Sequence, residues 1–244
     1  MPARLEIACF SPEALLVAAK AGAHRLEYCA SYAKGGITPV LGTLLPLRKH
    51  IPCPVRVMIR CRGGRFVYTP GELMEMRQQL RRWADEGVDG WVGGCLSPDA
   101  MPDTDALLSI AQAAPSLPFT FHRAFDLCTD PNSALQQLQL LGCNCLLSSG
   151  IPSGGAVDGI NNLMSYVEQL KSEEGNLERG PERGRLQLMV GGGIRRDNIR
   201  VLFDRFGDSV DYHSAAWVGN RSRSPLAEPL PDPDEIKKMK YVLK

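Results

Sequence analysis

FTFHRAFDLCTDPNSALQQLQLLGCNCLLSSG, residues 119–150, holds the unit that decides the fold. A short β-like run, FTFHRA, comes first. Asp130-Pro131 then places a capping side chain before a proline at the first helical position. A helical stretch follows, and Gly142 stands where a left-handed C-terminal residue is wanted. A second β-like run, CLLSSG, closes the unit.

The same order recurs on both sides of this stretch. RLEIAC, HRLEYC, VRVMIR and VDGWVG precede it, and LQLMVG and VDYHSA follow, which makes eight β-like runs in all. Ser11-Pro12, Thr38-Pro39 and Thr69-Pro70 repeat the helix-start chemistry, and Thr69 with Glu72 forms a capping-box pattern. Gly22, Gly87 and Gly207 repeat the helix-end glycine. Eight strand–helix units predict a closed α/β barrel of the (β/α)₈ TIM type, where five or six would suggest an open doubly wound sheet. The fourth and last units are the weakest. Pro46 interrupts its helical segment, so that helix is kinked or starts late. The barrel is expected over residues 1–221. A proline-rich tail with a short closing helix is expected over 222–244, and a flexible loop from Ser172 to Arg185.

Composition limits the function classes. The 244 residues carry a net charge of +1, with 44% hydrophobic and 23% charged residues, so no polyanion-binding face is expected. Basic residues are scattered, apart from an Arg221–Arg223 pair and a Lys237–Lys240 cluster. The first strand-like run is too short and too charged for a signal peptide. No apolar stretch approaches the ~18 residues of a membrane span. Eight cysteines in a chain this long do not make a disulfide scaffold. Together these features read as a soluble, intracellular, reduced protein with no nucleic-acid or membrane partner.

In this fold ligands bind at the C-terminal ends of the strands. Those ends carry Glu6 and Cys9, Glu27 and Cys29, Arg60 and Arg62, His122 with Arg123 and Asp126, Ser148 and Ser149, Gly191 to Gly193, and His213 with Ser214. Charged groups inside a barrel are costly unless paired, so Glu6, Glu27 and Arg60 are expected side by side on neighbouring strands. A buried network that only fixes the barrel would use the same groups. An enzyme on a small anionic or phosphorylated substrate would use Glu6, Glu27, Arg60, His122 and Asp126 as catalytic candidates, with His122 or a carboxylate as acid or base. Arg62, Arg123, Gly191, Gly192, Gly193, His213 and Ser214 would then bind the anion, since loops after the seventh and eighth strands commonly hold phosphate.

LEIACFS, HRLEYCAS, KGGITPVLG, IRCRGGRFVY, TFHRAFD, SSG, VGGGI and HSAA follow one another over residues 4 to 216 as they do in the CutC family, which this chain resembles. TFHRAFD and the RGG segment are the most specific parts. The resemblance implies a TIM-type barrel, a cytoplasmic location, homo-oligomers and a role in handling monovalent copper. It also puts the copper-binding cysteines proposed in eukaryotic relatives on Cys9 and Cys29. Relatives usually have proline where this chain has Cys61. Two thiolates can suffice for Cu(I), and neighbouring strands lie ~4.8 Å apart. Strand parity opposes the pair, because Cys9 falls on the face opposite to Glu6 while Cys29 shares a face with Glu27, so a bend at the strand end is required. Cys143 and Cys145 form a C-x-C on the opposite rim and read as small buried side chains. Cys53, Cys95 and Cys128 read the same way.

Overall fold

Helices start where capping side chains place them. Ser11 Oγ accepts the Ala14 N–H at 3.1 Å and opens α1 (Pro12–Lys20). Thr69 and Glu72 exchange side-chain and backbone hydrogen bonds, the full capping box, and open α2 (Pro70–Asp85). Asp103, Asp130 and Asp232 open α3 (Thr104–Ala111), α4 (Pro131–Leu141) and the last helix, α7 (Pro233–Val242). α5 spans Ile160–Glu174 and α6 spans Ile199–Phe206.

The computed structural model of the chain describes residues 2–174, 185–217 and 228–244. Its strands are β1 (Leu5–Cys9), β2 (Arg25–Tyr28), β3 (Val55–Met58), β4 (Gly90–Gly93), β5 (Phe119–Phe121), β6 (Cys145–Ser148), β7 (Gln187–Gly191) and β8 (Asp211–Ser214). They pair in parallel, in chain order, and β8 closes on β1. This is the expected single (β/α)₈ barrel. The loop expected over Ser172–Arg185 lies largely outside the described residues, as does the tail from 222 to 227. α7 packs against α1 and α6 and buries Ile236 and Met239.

Alternation splits each strand between two cores. Leu5, Ile7, Cys9, Leu26, Tyr28, Val55, Val57 and Trp91 belong to the layer between barrel and helices. Cys29 packs with Met58 and Val92, and Cys145 with Leu147 and Met189, in two separate clusters inside the barrel.

One expected helix start is different. Thr38-Pro39 caps no helix, because Thr38 is used to tie loops together. Its N–H donates to the Arg60 carbonyl at 2.9 Å, and its hydroxyl accepts the Arg60 N–H at 2.8 Å and donates to Gln79 at 2.6 Å. The chain turns helical only at Leu45–His50, as a 3₁₀ turn with Pro46 in its first turn. That is the late start Pro46 suggested.

Candidate active site at the barrel mouth

Barrel closure sets Glu6 of β1 opposite Arg25 on β2 and opposite His213 on β8. Glu6 is fully buried and uses both carboxylate oxygens: Oε2 takes the Arg25 Nε–H, and Oε1 lies 2.9 Å from His213 Nδ1. Burial alone would raise the Glu6 pKa. The Arg25 guanidinium and the His213 hydrogen bond outweigh it and hold the carboxyl far below the usual range. Glu6 is therefore ionised, and His213 donates Nδ1–H to it. Arg25 reaches on to Asp211 at 3.5 Å, which Arg4 also pairs at 2.9 Å.

His213 turns its other nitrogen toward Glu27, with Nε2 3.8 Å from Oε2. Burial opposes a charged His213, but Glu27 and Glu6 together raise its pKa. Glu27 is raised as well, by burial first, against the pull of His213. Its Oε2 accepts the Cys29 S–H at 3.4 Å, while its Oε1 is buried without a hydrogen-bond partner. Among the described residues, Glu6, Glu27 and His213 are the group of three whose ligand atoms all lie within 4.8 Å of one another.

Arg60 does not join them. Arg56 stands opposite Glu27 in the strand register and donates to Thr120 Oγ1. Arg60, beyond the end of β3, is buried, and its Nη1 donates to the carbonyls of Lys34, Gly35 and Gly36 at 3.1–3.2 Å. Nη2 donates to Gly64 at 2.9 Å, and the guanidinium lies 4.6 Å from the Phe66 ring centre. The other side of the mouth holds His122, whose ring is 4.8 Å from that of Phe66. His122 Nδ1 accepts the Ala124 N–H at 3.2 Å and so caps the short turn Arg123–Leu127. Burial, with Arg60 adding, lowers its pKa to about 3. A neutral ring with Nδ1 as acceptor carries its proton on Nε2.

Asp126 organises the third sector. It accepts from Ser148 Oγ at 2.6 Å, from the Ser149 N–H at 3.2 Å and from Arg123 Nε at 2.8 Å. Arg123 also donates to Ser149 Oγ at 2.7 Å. Gly192 lies against this pair with φ +113°, and a Cβ there would stand 2.9 Å from Ser149 Cβ and 3.6 Å from Arg123 Cζ. Ser214 sits on the adjoining rim, donating to the Ile194 carbonyl at 2.7 Å with Arg195 Nη1 3.5 Å away. Arg62, expected in the anion-binding group, is engaged elsewhere: it pairs with Glu72 at the start of α2, over Tyr68. Of the predicted anion group, Arg123 and Gly192 are brought together.

The two cysteines face opposite ways. Cys9 is in the outer layer, its S–H toward the Ile7 carbonyl at 3.5 Å, while Cys29 is inside the barrel. No bend turns them to a common face. Arg25 and Asp211 are participants that the sequence reading passed over. Each stands two residues before a residue it did single out, Glu27 and His213, on the same strand face, and that parity was the available signal.

Comparison with known proteins gives one consistent result. The profile of the CutC family matches residues 3–217. A CutC family protein of Citrobacter koseri is 37% identical over 221 residues, which is 91% of this chain and 84% of that protein. The solved CutC of Streptococcus agalactiae, named for copper homeostasis, superposes with a TM-score of 0.77 at 29% identity, over 88% of this chain and 99% of that one. A Rubisco-like protein of Rhodopseudomonas palustris, at 13% identity and a TM-score of 0.65 over 99% of this chain and 63% of its own, shares the fold alone. No described helix is long and apolar enough to cross a membrane.

Proposed function

This chain belongs to the CutC family, and from that premise we propose that it serves copper homeostasis by holding one Cu(I) ion inside the barrel mouth, on Cys29 and His213 with Glu27 beside them. One observation carries the reading: Cys29 Sγ and His213 Nε2 flank the same Glu27 oxygen, at 3.4 and 3.8 Å. A thiolate with an imidazole is a soft donor pair suited to Cu(I), and Met58, a thioether, packs against Cys29. Cys9 is left out of the set because it lies on the other face of the barrel wall. Burial, then Glu27, pushes the Cys29 thiol pKa well above its usual value. Copper binding must therefore expel a proton, and affinity rises with pH. The same proposal includes a cytoplasmic location and assembly into homo-oligomers, which fractionation and light scattering would check.

The test is an anaerobic competition titration against a Cu(I) chelator. About one equivalent should bind per chain, Cys29→Ser should lose it, and Cys9→Ser and Cys143→Ser should keep it. Equal partial losses in all three variants would sink the site.

A second reading is favoured by the unpartnered Oε1 of Glu27. In the chain Glu6–His213–Glu27 an ionised carboxylate orients an imidazole whose far nitrogen faces a carboxyl of raised pKa. That arrangement suits acid–base work of a lyase, isomerase or hydrolase type on a small anionic molecule. Glu27 would exchange the proton with the substrate through Oε1. His213 would stabilise whichever charge Glu27 carries, and Arg123 with Gly192 would hold the anion.

A further inference from the structure

We infer that residues 30–37 form a flap that shuts the Cys29 thiol inside the barrel, with Arg60 as its latch, and that the flap lifts without the barrel unfolding. What the flap admits rests on the copper reading; that it lifts does not.

The burial of Cys29 needs a cause. β2 ends at Tyr28, so Cys29 stands beyond the strand at the open end of the barrel, yet it is 1% exposed. The chain covers it by turning straight back. The Ala30 N–H donates to the Ile37 carbonyl at 2.9 Å and the Ile37 N–H to the Ala30 carbonyl at 2.8 Å, which closes residues 30–37 into a hairpin. Gly35 and Gly36 make the return at φ +75° and +85°, backbone that favours glycine. Gly36 is thereby laid on the thiol: a Cβ there would stand 3.5 Å from Cys29 Sγ and 3.8 Å from Met58 Cε.

Little apolar burial holds this hairpin down. Tyr32, Ala33, Lys34 and Gly35 are exposed, and Gly36 is the buried residue of 31–37. Ser31 enters the turn at φ +56°, strained for a residue with a Cβ, and lifting relieves that strain. A segment of this kind opens at a free energy set by its own few contacts, well below that of global unfolding. Those contacts converge on Arg60. Its Nη1 donates to the carbonyls of Lys34, Gly35 and Gly36 at 3.1–3.2 Å, and its backbone N–H and carbonyl both bind Thr38, just past the flap. The latch is itself fixed to the wall. Nη2 donates to the Gly64 carbonyl, the Phe66 ring centre lies 4.6 Å away, and a side-chain hydrogen bond joins Arg60 to Tyr68. A lighter fastening holds the tip, where the Tyr32 N–H donates to Glu228 Oε2 at 2.9 Å and the Tyr32 ring meets Phe10 and Trp217, with centres 5.1 and 6.1 Å apart.

The test is the alkylation rate of each cysteine by iodoacetamide in the full chain, read by peptide mass mapping. Cys9 is fully buried in the outer layer and serves as the clock for global unfolding. In the wild type Cys29 should react faster than Cys9, and low urea should speed Cys9 while barely changing Cys29. Arg60→Met should raise the ratio of the Cys29 rate to the Cys9 rate by about tenfold, the effect of losing hydrogen bonds from a charged donor. Cys29 and Cys9 reacting at one rate with one urea dependence overturns the flap without any variant having to fold. So does an Arg60→Met protein with the wild-type ratio. If Arg60→Met does not fold, Glu228→Ala on the exposed tip carries the test: a raised ratio is expected, and an unchanged one overturns the proposal. No copper enters this experiment, so it can fail while the Cu(I) titration succeeds, or the reverse.

Discussion

The His122 imidazole lies directly over the bare Cα of Gly94, so that a Cβ at that position would overlap the ring. Position 94 thus decides where the orphaned Nε2 donor sits. Gly94→Ala should displace the ring and cost ~1–3 kcal/mol, the usual range for overpacking a filled site. Denaturant melts measure the cost. Loss of the His122 Nε2–H resonance at its wild-type shift would report the displacement, and an unchanged spectrum would refute it.

Arg25 is the cation on which Glu6 depends, with side chains 3% and 0% exposed. Arg25→Met removes the charge and keeps much of the bulk, leaving a buried carboxylate without its partner. A loss of ~3–5 kcal/mol is expected at neutral pH. The Arg62–Glu72 pair is a surface contact by comparison, and Arg62→Met should scarcely move the urea midpoint. Similar losses in the two variants would show that the interior network carries no special weight.

Acid should expose His122. Its pKa is depressed from 6.5 to about 3, so the unfolded chain takes up a proton that the native ring refuses. The stability contributed by the neutral ring is fully present above the unfolded value and is lost as pH falls toward the folded one. The limiting slope is about 1.4 kcal/mol per pH unit. Unfolding free energies of wild type and His122→Gln, compared between pH 7.5 and 5, isolate this part from Glu6, Glu27 and His213. The difference between the two proteins should shrink as pH drops, and a constant difference would count against it.

Inorganic phosphate should raise the melting temperature in proportion to the logarithm of its concentration, by linkage to a site at Arg123 and Gly192. Arg123→Met should abolish the rise. Arg60→Lys should preserve it, because Arg60 faces a different sector. A rise that survives Arg123→Met would place phosphate elsewhere.

The barrel was legible because its evidence is redundant: eight runs, repeated capping pairs and helix-end glycines all agree. Glu6, Glu27 and His213 were legible as charged residues in strands that should be apolar. Arg25 and Asp211 obey the same rule, but they stand at strand starts, where attention to the C-terminal rim hides them. Arg60 and Arg62, expected as a catalytic candidate and an anion-binding group, stand two residues apart just after β3. Local geometry separates them, since Gly64 and the Lys34–Gly36 carbonyls capture one and the capping-box Glu72 captures the other. Thr38-Pro39 carried the chemistry of a helix start and met a stronger claim from the Arg60 backbone. Such tertiary captures leave no periodic trace in a sequence.

The missing helix between β2 and β3 has a mechanical consequence. Among the described residues, seven of the connections and closures around the barrel carry an α-helix, but residues 38–50 offer only irregular chain and a 3₁₀ turn. The hoop that clamps the barrel is thin at this one station. Pro39 and Leu44 are buried in that stretch and Leu41 and Leu47 partly so, while Val40 and Leu45 stay largely in solvent. Breathing of the wall should begin at this seam, next to the strand that carries Glu27 and Cys29. A ligand too large for the mouth would find there the side of the barrel that yields most easily.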